Sequence, residues 1–263
     1  MLHAFSRTEL IIGTEALKRL SESQVAVFGI GGVGSYAVEA LARSGVGSLV
    51  LIDDDCVCLT NINRQLHATY KTVGKPKVEV MKERVLSINP KAKVITHQAS
   101  YSSETADALL SDGYDYVIDA IDTISAKIDL VVRCKSLGIP IICSMGAGNK
   151  MDPTAFRVDD IYNTSVDPIA KVMRHELRKR NIDSLDVVYS TEKPIQTKIL
   201  ESDCRNNCIC TNKDRTCTKR RAIPGSIAFV PAAVGLIMAG FVIKKLIGWE
   251  ENKSDRNGGD DVR

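Results

Sequence analysis

Three sets of residues in this chain could do phosphate chemistry: a glycine run, two cations, and carboxylates spaced to sit beside them. Gly29-Ile30-Gly31-Gly32-Val33-Gly34 lies between the apolar run Val25 to Ile30 and a segment with helical spacing through Val33, Ala37, Ala40 and Leu41. In such a strand–loop–helix unit Gly29 permits the tight turn, Gly31 lets backbone approach a phosphate, and Gly34 allows close packing of helix on strand. The helix N-terminus adds unpaired N–H groups and a positive dipole end. Asp53 follows Gly34 by 19 residues, at the end of the next apolar run, where a carboxylate can hold ribose hydroxyls. A nicotinamide dehydrogenase fits these features as well as an ATP-using enzyme does.

The cations separate the two readings. Asn61-Ile62-Asn63-Arg64-Gln65 follows the Asp53-Asp54-Asp55 turn, and Lys77 opens the next helical pattern behind Gly74 and Pro76. A dinucleotide diphosphate is held mostly by backbone N–H groups. A triphosphate attacked at its α-phosphorus gains charge that fixed cations must offset. Arg64 offers a bidentate fork and Lys77 a point charge. Asp122 falls just past a strand-like run, where ligands gather in open α/β sheets, and a carboxylate there suits Mg²⁺ on phosphate better than hydride transfer. Singly, Arg64 and Lys77 read as ordinary surface residues and Asp122 as a helix cap before Ile124. Jointly, they converge with the glycine loop on one crevice.

The elements that must position these groups alternate. Val25 to Ile30, Ser48 to Asp53, Val94 to His97, Tyr116 to Ala120 and Ile139 to Ser144 read as buried strands. Gly32 to Val46, Lys77 to Asn89 and Ile124 to Leu137 read as helices between them. That order predicts an α/β fold: a Rossmann-like, doubly wound, mainly parallel sheet with helices on both faces, followed by a smaller C-terminal extension. Aromatic residues are only 5% of the chain against 44% apolar, so the core should be aliphatic. Residues 1–150 form the expected ATP-binding core, residues 151–249 an extension, and residues 250–263 a polar tail expected to be disordered. In the extension Asp167 reads as an N-cap with Pro168 at the first helical position. The helix behind it carries Lys171, Arg174, Arg178, Lys179 and Arg180 opposite Ile169, Val172, Met173 and Leu177, and could meet a nucleic-acid backbone or be a solvated face. Lys219 to Arg221 is a second basic patch. Val187 to Ser190 could be a strand. The apolar run Ile227 to Ile243 is shorter than the roughly 20 residues that span a bilayer. It reads as a buried helix without a stable membrane span, with peripheral membrane association as the alternative.

In order and spacing, the glycine loop, Asp53-x-Asp55, Asn61-x-Asn63-Arg64-Gln65, Lys77 and Asp122 resemble the ubiquitin-activating-enzyme-like adenylyltransferases, which include the sulfur-carrier-activating enzymes. The resemblance implies a nucleotide site built from Gly29, Gly31, Gly32, Gly34, Asp53, Asp55, Asn61, Arg64, Gln65 and Lys77, with Asp53 on ribose, Arg64 and Lys77 on phosphates, and Asp122 on Mg²⁺. It also implies that Arg7, in Phe5-Ser6-Arg7-Thr8, reaches the ATP of a neighbouring subunit in a homodimer. The sulfur-carrier branch usually carries two Cys-x-x-Cys pairs, and this chain has none. Val27-Phe28-Gly29 through Ser35, Tyr116-Val117-Ile118-Asp119-Ala120-Ile121-Asp122, Gly146-Ala147-Gly148 with Asp152-Pro153-Thr154, Asp167-Pro168, Tyr189-Ser190-Thr191-Glu192 and Pro224-Gly225-Ser226 instead resemble the tRNA threonylcarbamoyladenosine dehydratases. That branch implies a tRNA substrate, adenylation of its threonylcarbamoyl carboxylate, and ring closure. Activation of a ubiquitin-like sulfur carrier is the alternative, and a cysteine-desulfurase or other sulfur-transfer partner stays open.

The eight cysteines, behind a Met1 to Leu10 segment with no apolar leader core, imply reduced thiols in a cytoplasmic setting. Cys56, Cys58, Cys134 and Cys143 have no metal spacing and read as small buried thiols. Cys204, Cys208, Cys210 and Cys217 could hold a structural Zn²⁺, although Cys208-x-Cys210 is tighter than the usual ligand spacing; plain thiols or redox chemistry are the other readings. A zinc site here would give about one equivalent of metal per purified chain, and Cys208→Ser would release it. Elemental analysis that finds no zinc in folded, active protein excludes the site.

Overall fold

The computed structural model describes residues 2–197 and 224–249. The cysteines at 204–217, the basic patch at 219–221 and the tail from 250 lie outside the described residues. In chain order the elements are α1 (Ser6–Ile12), α2 (Thr14–Glu22), β1 (Gln24–Phe28), α3 (Gly34–Arg43), β2 (Ser48–Ile52), α4 (Lys77–Ile88), β3 (Lys93–His97), α5 (Ala106–Leu109), β4 (Tyr116–Asp119), α6 (Ile124–Leu137), β5 (Ile141–Ser144), β6 (Phe156–Asp160), α7 (Pro168–Arg178), β7 (Asp186–Ser190) and α8 (Phe229–Ile247).

The strands form one seven-stranded sheet in the order β3-β2-β1-β4-β5-β7-β6. All pairings are parallel except β6 with β7. The doubly wound arrangement expected from the alternating elements is therefore present, and residues beyond 150 extend the same sheet through β7 and β6. The pleat sends alternate side chains to opposite faces. Val25 and Val27 of β1 join a core beneath α2, α3, α4 and α8. Ala26 and Phe28 join a second core beneath α5, α6 and α7. Among the described residues one aromatic pair stands out, Phe28 edge-on to Tyr101 with centroids 5.2 Å apart, and both cores are mainly aliphatic.

Cys134 and Cys143 are buried, whereas Cys56 and Cys58 are half-buried in the loop after β2. Burial pushes the Cys134 thiol up to about 12, which removes it as a nucleophile near neutral pH. The basic helix α7 starts as expected: Asp167 accepts from the N–H groups of Ile169 and Ala170 at 2.9 and 3.0 Å. Its apolar stripe is narrower than the spacing implies, with Met173 and Leu177 buried but Val172 exposed.

The apolar run near the C-terminus forms α8, whose 19 residues have a mean hydropathy of 1.9 and are long and apolar enough to cross a membrane. Within the fold, Val230, Val234, Met238, Ala239 and Val242 are buried in the first core instead. Close approach to the glycine loop rests on Gly235: a Cβ there would lie 2.3 Å from the Val33 carbonyl oxygen. Gly235→Ala is therefore expected to lower stability by roughly 1–3 kcal/mol through overpacking. Gly240→Ala, with nothing within 4 Å of the added carbon, should be neutral or stabilising. Urea unfolding of both variants checks the contrast, and equal midpoints would refute it.

Candidate nucleotide-binding site

The glycine loop leaves β1 through Gly29, whose φ of +87° favours glycine and whose N–H donates to the Ile52 carbonyl at 2.8 Å. A Cβ at Gly29 would fall 2.6 Å from the Ala120 carbonyl oxygen, so the turn after β4 lies directly against the loop. A Cβ at Gly34 would fall 1.8 Å from the Gly29 oxygen, so α3 can begin here only with glycine. At Gly31, by contrast, the nearest atom to an added Cβ is Gln65 Nε2 at 3.8 Å. Gly31 thus holds the roomiest of these three positions.

Asp53 ends β2 and turns back onto the loop. Its Oδ2 accepts from Ile30 N–H at 2.6 Å and its Oδ1 from Asp55 N–H at 2.9 Å. Lys77, at the first turn of α4, reaches the same place from beneath: its Nζ donates to Asp55 Oδ2 at 2.7 Å and stands 3.5 Å from Asp53 Oδ1. Burial draws the ammonium pKa down, but the two carboxylates outweigh it and hold Lys77 above its ordinary value. Lys77 is thus a buried, permanently charged cation at the foot of the loop, not the exposed residue that a helix start usually carries.

The Asn61 to Gln65 stretch crosses above Gly31 and Gly32. Asn61 Oδ1 accepts from Cys58 N–H at 3.0 Å and shapes the turn. Arg64 is half-buried and donates at 2.9 Å to the Thr60 carbonyl and to Asn63 Oδ1, and its Cγ lies 3.5 Å from a Cβ built at Gly32. Gln65 is buried, and its Oε1 has no hydrogen-bond partner among the described residues. Asn63 Nδ2 donates to the Ser226 carbonyl at 2.9 Å, which ties the approach to α8 to the same loop.

Asp122 lies three residues past the end of β4, exposed, and accepts from the Thr123 hydroxyl at 3.3 Å. It does not cap α6 with its side chain; Thr123 holds the N-cap position. Arg7 is not brought to this crevice. It sits exposed on α1, two residues after Phe5, whose ring lies 3.5 Å from a Cβ built at Gly45, past the far end of α3. The ten residues of α3 put about 15 Å of helix between that end and the glycine loop.

Sequence reasoning missed His67. It is buried, and its Nε2–H donates to the Ile30 carbonyl at 2.8 Å, so Ile30 is held through both its N–H and its carbonyl. The signal was a lone histidine between the apolar Leu66 and Ala68. It also missed two buried ion pairs, Asp119–Lys127 and Asp167–Lys150.

The glycine loop is thus ringed by the carboxylates of Asp53 and Asp55 and the cations of Lys77 and Arg64. Residues 5–258 match the ThiF family. The chain belongs to the ThiF family. Within that family it is 50% identical over 248 residues to the tRNA threonylcarbamoyladenosine dehydratase of Bacillus subtilis, covering 94% of this chain and 96% of the relative. It superposes on the Escherichia coli tRNA N6-threonylcarbamoyladenosine dehydratase in complex with ATP with a TM-score of 0.80 at 34% identity, covering 97% and 96% of the two chains. The Escherichia coli sulfur carrier protein ThiS adenylyltransferase is 32% identical over 146 residues, 55% of this chain and 58% of the relative.

Burial lowers the His67 pKa from 6.5 to about 4. Between those values the unfolded chain binds a proton that the fold excludes. The stabilising contribution is complete above 6.5 and is lost as pH falls toward 4, by up to about 1.4 kcal/mol per pH unit. His67→Gln, which keeps a donor for the Ile30 carbonyl, should flatten that part of the stability–pH curve. An unchanged slope in denaturant titrations at pH 4 to 7 would rule His67 out as its source.

Proposed function

We propose that this ThiF-family chain is an ATP-dependent tRNA threonylcarbamoyladenosine dehydratase. It would adenylate the threonylcarbamoyl carboxylate on an adenosine beside the anticodon and close it into a ring. The observation that carries the reading is the mutual, nearly full-length likeness to dehydratases, against half-length likeness to the sulfur-carrier enzyme. Missing Cys-x-x-Cys pairs point the same way.

A carboxylate is a poor electrophile. Its oxygen attacks the α-phosphorus of ATP, pyrophosphate leaves, and a mixed anhydride with AMP remains. A nucleophile of the same modified base then attacks the acyl carbon, and AMP departs with one carboxylate oxygen. The net change in the base is loss of water, and proximity replaces a second substrate. The loop amides at Gly31 and Gly32 and the α3 N-terminus receive phosphates, and Asp53 receives ribose. Arg64 and Lys77 offset the charge that grows on the attacked phosphate. Mg²⁺ takes one or two carboxylates together with water and substrate phosphate oxygens, and the exposed Asp122 fits that donor set. When bound, the ion would supply positive charge to offset that of the phosphates, with Asp122 as the residue that would hold it. Asp53 and Asp55 suit it less, because Lys77 already occupies them.

The functional unit in this proposal is a cytoplasmic homodimer with Arg7 acting in trans. Helix α1 has no buried residue, and Leu10 and Ile11 are 87% and 74% exposed beside Arg7, an apolar face that a second copy would cover. The α7 charges support a tRNA surface less than their number suggests. Arg174 donates to Thr164, Arg178 lies 5.0 Å above the Tyr162 ring, and Lys179 and Arg180 both pair with Glu176.

Two measurements test this function. Asp122→Ala should slow single-turnover AMP formation on threonylcarbamoylated tRNA by about a hundredfold, the scale of losing a transition-state contact, while metal-free ATP affinity changes far less. Mixed dimers of Arg7→Ala and Asp122→Ala chains should regain part of the activity that each homodimer lacks. Normal turnover by Asp122→Ala, or failure to complement despite proven exchange, counts against the respective assignment.

A further inference from the structure

Three residues just beyond neighbouring strand ends have both backbone groups held by buried side chains. After β1, Ile30 is held by Asp53 and His67. After β4, Ile121 N–H donates to Asp119 Oδ1 at 3.0 Å, and its carbonyl accepts from Lys127 Nζ at 3.2 Å. Lys127 Nζ also stands 2.9 Å from Asp119 Oδ2. After β5, Gly146 N–H donates to Asp167 Oδ2 at 3.1 Å, its carbonyl accepts from Lys150 Nζ at 2.7 Å, and Lys150 is 3.6 Å from that same carboxylate oxygen.

The Asp119 and Lys127 side chains are 0% and 2% exposed. A buried ion pair is a poor stabilising device: desolvation consumes most of its attraction, and apolar residues of similar volume often serve stability as well or better. Lys127 occupies a core position of α6, flanked by Ala126 and Ile128 and near Leu130 and Val131, where an aliphatic side chain would pack. Stability therefore does not explain the choice of lysine. What lysine does is hold the carbonyl of the peptide unit that leads into Asp122.

We propose that Lys127, together with Asp119, is a positioning residue that fixes the Ile121 backbone and so aims the adjoining Asp122 carboxylate at the metal-bearing phosphates. This rests on the reading of Asp122 given above. The same arrangement at Gly146 and Ile30 shows a general device: buried polar side chains set the backbone rim of the crevice, and at Ile121 they fix the peptide unit that leads into Asp122.

The test is the gain in nucleotide affinity that Mg²⁺ confers, measured by calorimetry on the full chain with α,β-methylene-ATP, with and without the metal. Loss of a group that orients a metal ligand typically costs 10–100-fold, so Lys127→Met should reduce the Mg²⁺-dependent gain by about tenfold or more while metal-free affinity stays near wild type. Because Lys127→Met leaves Asp119 buried and unpaired, the double variant Asp119→Asn/Lys127→Met is measured beside it. It should recover melting temperature but not the metal-dependent gain. Leu130→Ala, a cavity in the same helix, should lower melting temperature and keep the gain. The proposal is overturned if the gain survives in both lysine variants, if it returns in the double variant along with stability, or if Leu130→Ala abolishes it. Asp122→Ala separates the two levels. If it retains the gain, the assignment of Asp122 fails; if it loses the gain and Lys127→Met does not, only the positioning role fails.

Discussion

No side chain can stand where Gly34 stands. A single added carbon would sit 1.8 Å from the Gly29 carbonyl, well inside contact distance. That approach lets α3 start directly against the end of β1 and turns its unpaired N–H groups toward the space above the sheet. The rest of the molecule is arranged around this contact. The turn after β4 closes on Gly29, Asp53 and His67 hold Ile30, and α8 lies on the loop from behind through Gly235. A nucleotide held here would depend more on fixed backbone than on grasping side chains.

Charge is then added to that frame from below and above. Lys77 comes from beneath, its charge secured by Asp53 and Asp55. Arg64 comes from above, on a turn shaped by Asn61 and Asn63. The two cations differ in kind. Lys77 cannot leave without exposing two buried or half-buried carboxylates, whereas Arg64 is half-buried on a turn and bonded to the Thr60 carbonyl and Asn63.

The parallel centre of the sheet was legible because β1, β2, β4 and β5 are buried on both faces and read as near-continuous aliphatic runs. Strand β6 was not, because Phe156-Arg157-Val158-Asp159-Asp160 is an antiparallel edge with mostly polar residues. Helix α1 has no fully buried residue among the described residues and touches the first core only through the half-buried Ile12, so it leaves little apolar stripe to find. At the site, the meeting of the glycine loop with Asp53, Lys77 and Arg64 was legible because residue type and spacing put them at strand ends and loops beside β1. His67, Lys127 and Lys150 were not. Each acts by touching a backbone carbonyl, at Ile30, Ile121 and Gly146, and residue types do not announce a partner that every residue possesses. A charged residue at a helical position that should be buried, such as Lys127, is the trace such groups leave in a sequence.

In this mechanism a tRNA-borne carboxylate attacks the α-phosphorus of ATP, and its attacking oxygen later leaves with AMP. Oxygen tracing tests it most directly. Threonylcarbamoylated tRNA carrying ¹⁸O in its carboxylate is taken through a single turnover with unlabelled ATP, and the nucleotide products are analysed by mass spectrometry. The account requires one labelled oxygen in AMP, unlabelled pyrophosphate and a cyclised nucleoside. Unlabelled AMP, or label in inorganic phosphate released alongside ADP, would contradict it.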